Sequence, residues 1–96
     1  MASNFKISTH QNSDNLHLKL AGDFDGTSAW ELLNILEKDC GRASKIFVHC
    51  SCLNEIDPFG RGVFHNNIHS IIGKSKFLLF TGKNAMQIAP EKRLCL

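Results

Sequence analysis

Hydrophobic and polar positions alternate in two segments near the start of the chain, and this period of two predicts β-strands. Phe5–Thr9 alternates weakly, whereas Leu16–Leu20 alternates strictly between leucine and a polar residue. The polar cluster Gln11–Asn15 lies between them and is typical of a loop. We therefore expect a β-hairpin with a five-residue connection.

After a predicted turn at Gly22–Gly26, the period changes to that of an α-helix. Either Asp25 or Ser28 can cap this helix, since Ser28 stands three residues before Glu31, the capping-box spacing. Gly41 follows where a C-terminal left-handed residue belongs. The apolar stripe of the helix consists of Ala29, Leu32, Leu33, Leu36 and Cys40.

A second buried strand and a second helix follow. Lys45–Cys50 is apolar on both faces, as in a strand covered by helices, and Ser51–Ile56 is expected to form a loop. Asp57 then provides an N-cap and Pro58 the first helical residue, where a missing amide leaves nothing unpaired. This helix is predicted to continue to Ile72-Gly73.

A last strand over Lys76–Thr81 and a short helix over Asn84–Ala89 complete the chain. The predicted order is β-β-α-β-α-β-α. It indicates an α/β fold, a small mixed β-sheet with helices packed on it.

The composition fits a single domain over residues 1–96, since 43% of the residues are hydrophobic and 21% are charged. The longest apolar run, Phe77–Phe80, is far shorter than a membrane-spanning helix needs. The first residues, Met1–Lys6, lack the pattern of a signal peptide. We therefore expect a cytoplasmic protein without membrane insertion.

Charge is unevenly distributed along the chain. Residues 1–57 hold five Lys/Arg against eight Asp/Glu, a net charge of −3, whereas residues 58–96 hold six against one, a net charge of +5. A basic half can indicate a nucleic-acid surface. However, Lys74, Lys76 and Lys83 have the spacing of strand-flanking residues, and no aromatic is interleaved with them on an evident stacking face. We therefore expect no nucleic-acid partner.

The cysteines do not predict a disulfide framework or a catalytic nucleophile. Cys50 and Cys52 lack the C-x-x-C spacing of redox and zinc sites, and in a reduced compartment both are expected to pack in the core. His49 cannot form a dyad with Cys50, because adjacent strand residues point to opposite faces. We expect no catalytic residues and no cofactor.

Two histidines of the second helix have the spacing of a zinc pair. His65 and His69 are four residues apart and are expected on its polar face, opposite the apolar side chains. No carboxylate or cysteine accompanies them on that face. We therefore expect two exposed histidines and no metal site.

The ordered set of segments resembles the STAS domain, the fold of bacterial anti-sigma factor antagonists and of sulphate-transporter tails. Leu18–Asp25 followed by Ser28-Ala29 looks like the family's strand and glycine–acid turn before its first helix. Ile46–Leu53 looks like its central strand, and Ile56–Val63 looks like its Asp-Ser-Ser-Gly-Leu-Gly-Val helix start. Lys76–Thr81 fits the next strand, and the resemblance stops before the family's usual final strand and helix.

The resemblance implies a regulatory protein-interaction module, yet one feature of the family is missing. In antagonists of this family, a kinase phosphorylates the second serine of the Asp-Ser-Ser-Gly stretch and thereby abolishes partner binding. Pro58 and Phe59 occupy the two serine positions here, and neither has a hydroxyl group. His49 stands where the family has an acidic residue in its central strand. We therefore expect no phosphorylation at this site.

Phe59 is the most informative of these departures. At roughly 100° per residue it lies about 110° from the apolar stripe, so it is expected to face solvent or a partner, although it can also fold back onto the first helix. The resemblance and this geometry predict a partner-binding surface that comprises Asp23, Asp25, Asp57, Pro58, Phe59, Gly60 and Arg61.

Three functions stay open at this point. The leading interpretation is an anti-sigma factor antagonist-like module that binds a switch kinase or an anti-sigma factor. The alternative is a cytoplasmic STAS accessory subunit of a lipid-transporting ABC system, docked on the ATPase. A sensor that binds a nucleotide or lipid in a groove rests on fold analogy alone. The sequence leaves open whether the chain forms a homodimer.

Overall fold

A computed structural model describes residues 4–39, 43–72, 77–90 and Cys95. Its elements are β1 (Lys6–Asn12), β2 (Asn15–Phe24), α1 (Gly26–Asp39), β3 (Lys45–Ile56), α2 (Pro58–Asn67), α3 (His69–Ile72), β4 (Leu78–Thr81) and α4 (Ala85–Ile88). The predicted C-terminal stripe residue Cys40, Gly41 and Gly73 lie outside the described residues.

The four strands form one mixed sheet in the order β1-β2-β3-β4. β1 pairs antiparallel with β2, while β2 with β3 and β3 with β4 pair in parallel. The hairpin connection is shorter than predicted, because the pairing continues to Asn12 and Asn15 and leaves a two-residue turn. Ser13 adopts a positive φ of 58° there, as tight hairpin turns require.

The described helices cover one face of this sheet. Strand residues of one parity pack against the helices in a single core, whose fully buried members include Leu18, Val48 and Phe80. Residues of the other parity, such as Phe47 and His49, are only half-buried. The predicted α/β class is thus confirmed, whereas the prediction that β3 is covered on both faces is wrong, since no described helix packs on the second face.

Both central strands are longer than their sequence patterns suggested. β2 runs through the predicted turn at Gly22–Gly26 as far as Phe24, and β3 runs through the predicted loop at Ser51–Ile56. The two strands stay paired with register shifts after Lys19 and after Gly22, which disturb the strict alternation. Gly22 has a φ of 92°, and a side chain there would collide with the carbonyl of Asn4.

The predicted second helix is divided into α2 and α3. The Asn67 side chain donates a hydrogen bond to the Val63 carbonyl over 2.8 Å. That carbonyl is the acceptor that the backbone amide of Asn67 itself uses in a regular helix, and this competition is typical of helix ends. The chain bends at Ile68, and α3 restarts at His69.

Near the end of the chain, Cys95 forms an isolated parallel bridge with Phe80 of β4. The predicted short helix is present as α4. Of the described helices, none has the length and hydrophobicity that a membrane span requires.

Candidate partner-binding cleft

Asp25 is the N-cap of helix α1. It is the first of the two residues that the sequence offered for this position. Its Oδ1 accepts a hydrogen bond from the Ser28 backbone amide over 2.9 Å, and its carbonyl accepts from the Ala29 amide over 2.9 Å. Ser28 is not the cap: its buried hydroxyl lies 3.0 Å from Asp25 Oδ1 and 3.1 Å from the Asp23 carbonyl, and it can donate to either.

Asp57 starts helix α2 in the predicted manner. Its Oδ1 accepts a hydrogen bond from the Phe59 amide over 3.1 Å, and Pro58 occupies the first helical position. The Asp57 carbonyl accepts from the Arg61 amide over 2.9 Å, which is the first regular bond of the helix. The Asp57 amide donates to the Phe24 carbonyl over 2.8 Å, so the cap is also tied to the end of β2.

The two helix starts lie side by side. Gly60, in the first turn of α2, is buried against the backbone of Asp25, and Phe59 lies with its ring over Gly26, the first residue of α1. The residues predicted at two separate sequence positions therefore meet at one end of the sheet.

Between these starts lies an open cleft of about 620 Å³. Four of its lining residues are carboxylates, and the full lining is Asp23, Phe24, Asp25, Glu55, Ile56, Asp57 and Pro58. Asp23 connects the strands beneath it: its Oδ1 accepts from the Glu55 amide over 3.3 Å, and its amide donates to Asn4 Oδ1 over 3.2 Å. Anionic groups thus surround the cleft.

An exposed aromatic ring and a cation follow the cleft residue Pro58 in the first turn of α2. Phe59 is 71% exposed, more than any other large hydrophobic residue among those described, although its ring also contacts Gly26. The expectation that Phe59 faces solvent and the expectation that it folds back onto the first helix are each partly right, because the ring rests on α1 and is still exposed. Arg61 is exposed one residue after Gly60.

Cys50 and His49 do not form a nucleophilic pair. Cys50 is fully buried with its thiol 3.7 Å from the Val48 carbonyl, and burial, with a smaller effect from Cys95, raises its pKa to about 12. His49 directly precedes Cys50 in β3 and therefore lies on the opposite face of the sheet, as predicted. Cys52 is exposed, so the prediction that it packs in the core is wrong: the register shift after Lys19 turns it outward.

The two histidines of the second helical region are separated by the helix break. His65 is half-buried, and its Nε2 lies 3.0 Å from the Ile88 carbonyl of α4, so it is not the exposed residue that was predicted. His69 is exposed in α3. In the described part of the chain, no three His, Cys, Asp or Glu side chains are placed to hold a metal ion.

Sequence reasoning missed Glu55 as a cleft residue because it lay in a predicted loop. The sequence shows that Glu55 stands two residues before Asp57, but it does not show that β3 continues to Ile56. The extended strand presents Glu55 beside Asp23.

Comparison with known proteins was informative only at the level of structure. No protein-family profile matches the chain, and no curated protein matches its sequence. A structure of the anti-sigma factor antagonist SpoIIAA in its unphosphorylated form has a TM-score of 0.62 at 12% sequence identity, covering 96% of this chain and 86% of that one.

Two further structures are similar. An uncharacterized protein of the DUF3478 family with a SpoIIAA-like fold, from Shewanella loihica PV-4, has a TM-score of 0.62 at 15% identity, covering 91% of this chain and 75% of that one. A crystal structure of Mglu has a TM-score of 0.63 at 15% identity over 73% of this chain. This chain spans only 18% of the Mglu chain. Such low identities show the fold alone: this chain has the SpoIIAA-like fold.

Proposed function

We propose that this chain is a non-enzymatic protein-interaction module of the anti-sigma factor antagonist type, acting in a regulatory complex in the cytoplasm. The observation that carries the proposal is the exposed ring of Phe59 beside the acidic cleft. The likeness to SpoIIAA, an anti-sigma factor antagonist, supports the same type of role. The proposed partner-binding residues are Asp23, Asp25, Asp57, Pro58, Phe59, Gly60 and Arg61.

Phe59 is proposed as the anchor of the interface. A large aromatic side chain in solvent gains free energy when a partner covers it, and such rings are frequent energetic centres of interfaces. Phe59 is also held in place, since Asp57 binds its amide and Gly26 supports its ring. Little conformational entropy is therefore lost when it is covered.

The charge of the cleft suggests the chemistry of the partner. Asp23, Asp25, Glu55 and Asp57 line it, so a partner surface with arginine or lysine side chains complements it. Electrostatic complementarity of this kind mainly speeds association and selects the partner. We therefore expect binding to weaken as the salt concentration rises.

The interface is proposed to lack the family's phosphorylation switch. Phosphorylation adds nearly two negative charges and disrupts contacts at an acidic surface. Pro58 and Phe59 cannot accept a phosphoryl group, so the module would stay permanently in its binding form. Incubation with a switch kinase and ATP should leave residues 57–61 unmodified, and a phosphate mapped there by mass spectrometry would contradict this part of the proposal.

The experiment that tests the proposal compares two substitutions of equal chemistry in affinity purification from the native cells. Phe59→Asp places a charge at the proposed anchor, and Met86→Asp places one at another exposed apolar side chain, in α4. We expect the partner to be lost with Phe59→Asp and retained with Met86→Asp. Equal retention by both variants would place the interface elsewhere.

The identity of the retained partner separates the two remaining roles. A switch kinase or an anti-sigma factor would support the antagonist-like role. An ABC ATPase subunit would instead assign the chain to the alternative, an accessory subunit of a lipid-transporting system.

A further inference from the structure

The face of the sheet that no described helix covers carries two rows of side chains, all but one of them ring-bearing or polar. We call it the open face. Strand pairing places one residue of each strand in the first row, which consists of His10, His17, Phe47 and Leu79. The next row along the strands consists of Ser8, Lys19, His49 and Thr81.

The rings of the open face are held in fixed orientations. His17 Nδ1 lies 2.9 Å from His49 Nε2, and their ring planes differ by 1° with centroids 5.2 Å apart. The centroid separation equals the nitrogen–nitrogen distance plus the distance from each nitrogen to the centre of its own ring. The two nitrogens and the two centroids therefore lie on one line, and the two imidazoles lie edge to edge in one plane. The other nitrogen of His49 lies 2.6 Å from Thr81 Oγ1, which extends the chain of hydrogen bonds to a third strand.

Phe47 adds a third ring to this arrangement. Its centroid is 4.9 Å from that of His17, and the two planes differ by 13°. Two rings so close and so nearly parallel are stacked with an offset. His17 covers one face of Phe47 and the ring is half-buried, so a base can stack only on the part of Phe47 that is turned away from His17.

Cations surround these rings, and carboxylates are absent from the same rows. Between the row of the sheet that contains Asn12 and the row that contains Lys6, the described residues of the open face include no acidic side chain. They include three lysines, Lys6, Lys19 and Lys45. Lys45 Nζ lies 5.5 Å from the centroid of the Phe77 ring, which is also exposed. The acidic residues of the cleft begin only at Asp23, beyond this region.

We infer that the open face binds single-stranded nucleic acid, with bases stacking on the rings around Phe47 and phosphates contacting Lys19 and Lys45. Rings that offer π-surfaces beside cations are the combination with which proteins hold single strands without sequence preference. This function goes beyond the proposed protein interface, which lies at the acidic cleft.

The sequence did not predict this surface because its members are far apart along the chain. The rings come from β2 and β3, and the lysines come from β1, β2 and β3. Lys45, Phe47 and His49 alternate within β3, and His17 and Lys19 alternate within β2, but neither strand alone forms the ring cluster. Only the pairing of His17 with Phe47 and of Lys19 with His49 brings them together.

The test measures the fluorescence anisotropy of a short labelled oligouridine during titration with the full chain at low salt. Phe47→Leu keeps an apolar side chain but removes the ring, and we expect it to weaken binding about tenfold, since stacking contributes ~1–3 kcal/mol per base. Lys19→Gln should weaken binding. It should also reduce the slope of log K against log salt by about 1, the contribution of one phosphate contact. The matched control is Lys38→Gln, at an exposed position in the last turn of α1, which should bind like the wild type.

Several outcomes would overturn the inference. The first is no change in anisotropy for the wild type, and the second is equal weakening by Lys19→Gln and Lys38→Gln. Equal affinity for an abasic oligomer or for inorganic polyphosphate would show that bases play no part. Binding of anionic phosphatidylserine vesicles without binding of the oligonucleotide would assign the face to a membrane instead. Melting curves of each variant establish that a loss of binding is not a loss of folding.

Discussion

The backbone of Gly60 in α2 lies directly against the backbone of Asp25, the residue that caps α1. A Cβ atom added to Gly60 would stand 2.5 Å from the Asp25 carbonyl carbon and 2.6 Å from its oxygen. That oxygen already accepts a hydrogen bond from the Ala29 amide, so it has little freedom to move. The absence of a side chain at Gly60 therefore allows the two helix starts, and with them the two sides of the acidic cleft, to meet.

Replacing Gly60 with alanine is expected to destabilise the fold by about 1–3 kcal/mol, the usual effect of overpacking. The matched control is Gly62→Ala in the same helix, where an added Cβ meets nothing within 4 Å. It should raise the free energy of unfolding by up to about 1 kcal/mol, because alanine favours helices over glycine. Urea unfolding of the three chains measures both effects. If Gly60→Ala proved as stable as Gly62→Ala, the close approach would not constrain the fold.

Substitutions of Asp57 should separate its capping role from its charge. Asp57→Ala removes the acceptor for the Phe59 amide and is expected to cost about 1 kcal/mol of stability. Asp57→Asn keeps a side-chain oxygen that can accept this bond, so its stability should stay close to that of the wild type. Both variants remove a carboxylate from the cleft and should weaken the binding of a basic partner. Full partner affinity in Asp57→Asn would show that this charge is not part of the interface.

Acid should destabilise the fold through His49. Burial lowers the pKa of His49 below its ordinary value of 6.5, and the positive charges of His17 and Lys19 lower it further. The unfolded chain then binds a proton more readily than the folded one, so the stabilising contribution is present above about pH 6.5 and is lost as the pH falls through the pKa of the folded state. Unfolding free energies measured from neutral pH to about pH 5 test this expectation.

His49→Gln should make that pH dependence shallower, because the variant no longer titrates at this position. His69→Gln is the matched control, since it removes a histidine that is exposed in α3 on the helical side of the sheet. An unchanged dependence in His49→Gln would assign the acid sensitivity to other groups.

The thiols of Cys50 and Cys52 should differ strongly in reactivity. Cys50 is buried with its pKa raised to about 12, and only the thiolate reacts readily, whereas Cys52 is exposed. Iodoacetamide should therefore label Cys52 first in the native protein and reach Cys50 only in urea. Peptide mapping by mass spectrometry measures the two rates separately. Similar rates in the native state would mean that the core around Cys50 opens freely.

Features that depend on neighbouring residues could be predicted from the sequence. The start of α2 follows from Asp57 and Pro58, and that of α1 is limited to Asp25 or Ser28, because capping is completed within one turn. The apolar stripe of α1 and the α/β order follow from periodicity for the same reason. The partner-binding role of the cleft residues stays a prediction, although the structure places these residues at one end of the sheet.

Features that depend on pairing between distant segments were decided only by the tertiary structure. The length of β3 came from its pairing with β2, and a register shift between them turned Cys52 outward. The contact of His17 with His49 needs that pairing as well, since the pattern of each strand fixes which face a side chain takes but not which residue of the neighbouring strand lies beside it. Local sequence thus determined where α2 begins and which face of α1 is apolar, while strand register decided which side chains meet, because register is set by the whole sheet and by its core.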